Sequence, residues 1–197
     1  MCDCVSDIDA DCGGTQFTLT LGGKRVRVHT RLLGAHCAYN IGIAACLAFE
    51  MGVDLADIAA AAEGLEFVEH RLQLTTVNGI NILDDGYNAN VKGARAALDV
   101  LHSFGGRKLI VTPGIVELGI LEESENREFG KLLAGLDCVI LVGDTLVAPV
   151  KEGYAEAGGD PEKLLLRETL KDAQAELKKM LEPGDTVLFL NDLPDIY

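Results

Sequence analysis

From Ile80 onward the chain alternates short apolar runs with amphipathic stretches, and this alternation constrains its fold more than any other feature. The runs are INILDD, KLIVTP, CVILVG, a weaker KLLL, and TVLFL. Between them helices are predicted to begin near Val91, Glu123, Leu146 and Leu170. Thr169 with Asp172 reads as a capping box ahead of the apolar stripe Leu170, Ala173, Leu177 and Met180. Apolar runs without internal alternation belong to strands covered on both faces. The predicted fold class is therefore α/β, with a doubly wound, mostly parallel sheet.

The residues before this half follow other rules. In TQFTLTLGGKRVRVHT, Phe17, Leu19 and Leu21 alternate with polar residues, and Val26 and Val28 resume the pattern after Gly22-Gly23. Two alternating runs joined by Gly-Gly predict a hairpin. The polar, acidic stretch of roughly a dozen residues before it is expected to be loose. LGAHCAYNIGIAACLAFEMG predicts a helix that is apolar on nearly every side, and a shorter helix follows with Asp54 at its N-cap. LEFVEHR reads as an extended connector, so the boundary is placed between residues 1–67 and 68–197. A hairpin with two helices makes a poor domain by itself. The chain is accordingly expected to be truncated on its N-terminal side, and the helix over 36–51 to be a surface for self-association.

Composition narrows the partners. The chain has 197 residues, is 48% hydrophobic and carries a net charge of −14 with no basic run. Nucleic-acid binding needs a positive stripe, and none is present. No apolar run has membrane length and no signal peptide is visible, which predicts a cytoplasmic protein without membrane insertion. Cys37, Cys46 and Cys138 lie in apolar surroundings and read as small core residues. Cys2, Cys4 and Cys12 are close in sequence but lack a second ligand pair, so no metal site is assigned.

In open α/β sheets ligands bind beyond the C-terminal ends of the strands. There this sequence places Asp84-Asp85 with Asn88 and Asn90, then TPGIVELG, Gly143-Asp144 and Asn191-Asp192. Asp and Asn also cap helices and build turns, so each alone is ambiguous, and it is their recurrence on one edge that suggests a site. No Gly-x-x-x-x-Gly-Lys-Ser/Thr loop, Gly-x-Gly-x-x-Gly motif or serine-nucleophile setting occurs.

HRLQ, ILDDGYNAN, VTPGIVELG, ENREFG, VILVG and FLNDLPDIY, together with the Gly34-x-His36-x-x-x-Asn40 helix, resemble the Mur ligases in the same order. The turn from Asp84 to Asn90 resembles the branch that adds D-alanyl-D-alanine, with Gly86 and Val91 as departures. The resemblance implies a Rossmann-like C-terminal domain over 68–197, preceded by a remnant of the central ATP-binding domain over 1–67. It further implies an ATP- and Mg-dependent amide ligase acting on a UDP-MurNAc-peptide and D-Ala-D-Ala through an acyl phosphate. Carried over by residue, Asn40 would bind adenine, Arg71 the terminal phosphates, and Asp85 the ribose or the closed hinge. Asn88 and Asn90 are candidates for positioning the dipeptide. Because the phosphate-binding loop, magnesium carboxylate and modified lysine of the family are missing, the chain alone is expected to be inactive. A stand-alone binding module or partner subunit is the alternative.

Overall fold

The computed structural model describes residues 4–87 and 90–191, and the chain forms two compact units, Met1–Phe67 and Val68–Tyr197. In the first unit, strands β1 (Val5–Asp11), β2 (Gly14–Leu21) and β3 (Lys24–Thr30) form an antiparallel sheet in the order β1-β2-β3. Gly22 and Gly23 both have positive φ (56° and 74°). That is the type I′ geometry matching the twist of a two-residue hairpin. β1 corrects the expectation of a loose N-terminus. Its register with β2, from Val5↔Leu19 to Asp11↔Gly14, is interrupted by an irregularity between Ser6 and Asp9. The strand was obscured by its polarity: as the outer strand it exposes most of its side chains, and backbone pairing rather than burial holds it.

Helices α1 (Ala35–Glu50) and α2 (Leu55–Glu63) close the core of this unit around Phe17, Leu19, Val28, Ala38, Ile41, Ala45, Leu55 and Ile58. Asp54 occupies the N-cap position of α2 without a side-chain capping bond. α1 buries one face and leaves Tyr39, Ile43, Leu47 and Met51 exposed at every fourth position. Cys4 belongs to the core, with its sulfur 3.4 Å from that of Cys46, while Cys12 is exposed. Cys2 lies outside the described residues. Burial pushes the Cys37 thiol up to about 11.

The second unit is a six-stranded sheet in the order β4-β5-β9-β6-β7-β8. Its strands are β4 (Gln73–Val77), β5 (Ile80–Asp85), β6 (Lys108–Thr112), β7 (Cys138–Val142), β8 (Leu164–Arg167) and β9 (Thr186–Leu190). β4 pairs antiparallel with β5, and all other pairs are parallel. The parallel sheet and its strands agree with the apolar runs, but β4 was not anticipated. Gln73–Val77 is polar and mostly exposed, and the signal for it was Asn78-Gly79, whose φ values of 53° and 79° form the tight turn into β5.

Helices α3 (Val91–Ser103), α4 (Glu122–Leu133), α5 (Val147–Glu156) and α6 (Leu170–Met180) connect the strands. The path β5, β6, β7, β8 runs in one direction across the sheet and then returns to β9. Right-handed crossovers put α3, α4 and α5 on one face and α6 on the other. Leu170, Ala173 and Leu177 of α6 pack on Leu109, Val111, Ile140, Val142 and Val187. The alternate residues Ile110, Val139, Leu141 and Leu188 are fully buried on the opposite face. Thr169 Oγ1 accepts the Asp172 N–H at 3.1 Å, which is the predicted cap. Among the described residues no helix is long and apolar enough to cross a membrane, and no group of three or more His, Cys, Asp or Glu is placed to hold a metal ion.

Two features of this unit make testable demands. α4 and α5 approach so closely that a Cβ on Gly153 would overlap the Arg127 carbonyl, and one on Gly130 the Val150 carbonyl. Gly153→Ala is expected to destabilise the protein by about 1–3 kcal/mol in urea unfolding. Gly135→Ala, which meets nothing within 4 Å, should stay within about 0.5 kcal/mol of the parent. At the N-terminal ends of β6 and β9, Arg107 forks onto Asp185 (Nε–Oδ1 2.9 Å, Nη2–Oδ2 2.7 Å), and Asp185 also accepts the Glu182 N–H at 2.8 Å. Burial raises the Asp185 carboxyl, but these donors outweigh it and hold it below its usual value. Its stabilisation is therefore complete above the unfolded value near pH 4 and is lost as pH falls through the lower folded value. Asp185→Asn is expected to cost about 1–3 kcal/mol at pH 7, with the gap to the parent narrowing in acid, as read from unfolding midpoints across pH.

Candidate functional site

β5 lies between β4 and β9 and ends on two carboxylates with separate tasks. Successive strand residues point to opposite faces, which is why Asp84 and Asp85 tolerate adjacency. Asp84 Oδ1 accepts the Gly86 N–H at 3.0 Å, turning the chain out of the strand. Its Oδ2 lies 2.8 Å from His70 Nδ1. Asp85 Oδ1 accepts the Leu72 N–H at 3.0 Å. Both carboxylates thus grip the segment entering this unit, where His70 and Leu72 hold left-handed backbone conformations (φ 57° and 49°). The Tyr87 N–H returns to the His70 carbonyl at 3.2 Å.

Between these two left-handed residues stands Arg71, exposed, its guanidinium 4.0 Å above the centroid of the Tyr87 ring. Stacking on an aromatic face orders a guanidinium while leaving its donor fork available. Burial raises the Asp85 carboxyl above its usual value; the Leu72 N–H and the positive charge of Arg71 oppose this, and Asp84 adds to it. An arginine fork beside a half-buried carboxylate can grip an anionic, hydroxyl-bearing ligand.

Further along this edge the loop after β6 is fastened from two sides. Asn126 is completely buried on α4. Its Oδ1 accepts the Ile115 N–H (2.8 Å), and its Nδ2 donates to the carbonyls of Ile115 (2.8 Å) and Glu122 (2.9 Å). Asn191, also fully buried and with φ 70°, follows β9. Its backbone N–H reaches the Asp85 carbonyl at 3.0 Å, and its Nδ2 reaches the Gly114 carbonyl at 2.8 Å. The ends of β5, β9 and β6 are thereby one hydrogen-bonded row.

Of the residues singled out from sequence, Arg71 and Asp85 stand together in this row. Asn90 caps α3: its Oδ1 accepts the Gly93 N–H at 2.9 Å, so that oxygen is already engaged. Asn88 lies outside the described residues, as does Asp192. Asn40 is exposed on α1 in the other unit. Asp144 is exposed after β7. Sequence reasoning passed over His70 and Asn126. ENREFG contains Asn126, but an amide in a helix signals nothing until the loop it holds is folded against it.

The family model described as "Mur ligase, glutamate ligase domain" matches residues 70–191, which takes in this whole row. The chain is 32% identical over 184 residues to the UDP-N-acetylmuramoyl-tripeptide–D-alanyl-D-alanine ligase of Escherichia coli, covering 91% of this chain and 41% of that protein. Among solved structures, MurF from Acinetobacter baumannii superposes with a TM-score of 0.83 at 26% identity, over 96% of this chain and 42% of the other. MurF from Thermotoga maritima, solved in complex with ADP, has the same fold at a TM-score of 0.73 and 24% identity, over 95% of this chain and 42% of that one. The chain thus spans about two fifths of the length of the curated relatives it matches. With the doubly wound sheet, the fastened strand-end row and the family match lying on the same residues, the chain belongs to the Mur ligase family.

Proposed function

We propose that this chain provides the C-terminal portion of a cytoplasmic, ATP-dependent ligase that adds D-alanyl-D-alanine to a UDP-MurNAc-peptide. The observation that carries this reading is the arrangement at the end of β5, where Asp85 fastens Leu72 and Arg71 is displayed beside it on Tyr87. Arg71 and Asp85 are the residues of the second unit that would hold ATP, and Asn40, in the first unit, is a separate candidate for adenine. Their chemistry suits it: an amide both donates to and accepts from adenine, a planar fork fits phosphate, and a carboxylate accepts from ribose hydroxyls. ATP with Mg would supply activation of the peptide carboxylate as an acyl phosphate for attack by the dipeptide amine.

The chain's own part is binding and shielding. The rigid row of strand ends gives Arg71 and Asp85 a fixed backbone from which to meet a nucleotide held by other residues. Enclosing the reacting carboxylate excludes water that would hydrolyse it. This sequence contains no phosphate-binding loop, so the 197-residue chain by itself is expected to be inactive. With ATP, UDP-MurNAc-tripeptide and D-alanyl-D-alanine, the purified chain should release no phosphate above background. In a complete ligase carrying these residues, Arg71→Ala and Asp85→Ala should each lower kcat/KM by roughly 10²-fold. Turnover by the isolated chain that Asp85→Ala abolishes would overturn the expectation of inactivity. Undiminished kcat/KM in both variants would remove Arg71 and Asp85 from the site.

The exposed stripe Tyr39, Ile43, Leu47 and Met51 favours a second reading, in which this chain is a partner subunit or self-associates through α1. Sedimentation velocity would then give a mass above 21.0 kDa that falls to the monomer value in Leu47→Glu. A clean monomer across the micromolar range contradicts self-association.

A further inference from the structure

Asn78 and Gly79 form the two-residue turn from β4 into β5, flanked by the pair Val77↔Ile80. Both residues are exposed. Among the described residues nothing accepts the Gly79 N–H, and the Asn78 side chain has no hydrogen-bond partner. An asparagine carboxamide can react with the backbone nitrogen of the residue that follows it. A side chain on that residue hinders the approach, whereas glycine has none and lets the backbone turn freely. Of the seven asparagines, Asn78 alone precedes glycine. Asn40, Asn81 and Asn90 precede the β-branched Ile41, Ile82 and Val91. Asn126 and Asn191 are fully buried, each with Nδ2 donating to a carbonyl.

We infer that Asn78 is a site of spontaneous deamidation, and that its isoaspartyl product loosens β4 from β5 as far as the Leu72 contact on Asp85. In the first step the Gly79 nitrogen attacks Asn78 Cγ, the Cγ–Nδ2 bond breaks, and ammonia departs with the proton that Gly79 gives up. The restraint to be overcome is the Gly184 N–H, which holds the Gly79 carbonyl at 2.8 Å. Water then opens the cyclic imide. Attack at Cγ leaves aspartate, and attack at the backbone carbonyl leaves isoaspartate, whose main chain runs through Cβ and Cγ. Either product adds a negative charge to a chain already at −14.

Isoaspartate lengthens the main chain inside a turn whose length sets the register of β4 on β5. β4 lies at the edge of the sheet and pairs there with β5, from Val77↔Ile80 at the turn to Gln73↔Asp84. The next residue, Leu72, gives its N–H to Asp85 at 3.0 Å. The turn at one end of the hairpin is thereby coupled to the segment carrying Arg71 at the other. This coupling stands on the fold and does not require the ligase reading.

The test is to age the folded 197-residue chain in mildly alkaline buffer and follow intact mass, peptide maps and labelling by an isoaspartyl methyltransferase. The peptide carrying Asn78 should be the first to gain the mass difference between an amide and an acid, and the first to take the label. Asn78→Gly keeps a pair suited to this turn, so it should fold as the parent does and show neither change there. Amide exchange at Leu72 and over 73–77 should be faster in the isolated isoaspartyl form than in the parent. Asn78→Asp, which carries the same charge on an ordinary backbone, should exchange as the parent does. No mass gain at Asn78, or an earlier gain at another asparagine, overturns the site. Unchanged exchange at Leu72 in the isoaspartyl form, or equally fast exchange in Asn78→Asp, overturns the coupling through the turn.

Discussion

β9 comes last among the strands and fills the gap between β5 and β6, and the rest of the second unit depends on that insertion. It pairs in parallel on both sides, with Asp85 beside Leu190 and Val111 beside Phe189. At its end Asn191 turns left-handed, sends its N–H to Asp85 and its amide to Gly114. Without this strand, β5 and β4 would form a hairpin detached from the remaining sheet. With it, three loops far apart in sequence become one edge of known geometry.

That edge shows how two adjacent acids serve different ends. Asp84 shapes the turn and holds His70, while Asp85 holds Leu72, so the segment carrying Arg71 is fixed on both sides. Such local bonds compete well with water because a carboxylate accepting a backbone N–H is a strong, charge-assisted pair. Burial raises the Asp85 carboxyl, yet the neighbouring N–H and guanidinium counter the effect. The result is a partly desolvated carboxylate next to an accessible cation, a combination common at ligand sites.

The parallel strands were legible because both of their faces are buried, which leaves uninterrupted apolar runs such as Leu109-Ile110-Val111 and Val139-Ile140-Leu141. β1 and β4 were not, because their outer positions allow polar side chains and their pairing is carried by backbone groups. Asn90 illustrates the same limit at the site. An asparagine after a strand reads equally as a ligand or a cap, and only the Gly93 N–H at 2.9 Å shows that its oxygen serves as a cap. Asn126 was illegible for the opposite reason: its partners are a loop eleven residues earlier and the preceding helical turn.

By itself the sequence determined the α/β class, the series of parallel strands, the helix starts and the family, because periodicity, caps and ordered motifs are local properties of the chain. Tertiary structure alone decided that β9 lies between β5 and β6, that β1 and β4 are strands, and which asparagines are structural. Those outcomes depend on long-range hydrogen bonds, such as Asn191 to Asp85 and to Gly114, whose partners become neighbours only when the sheet closes.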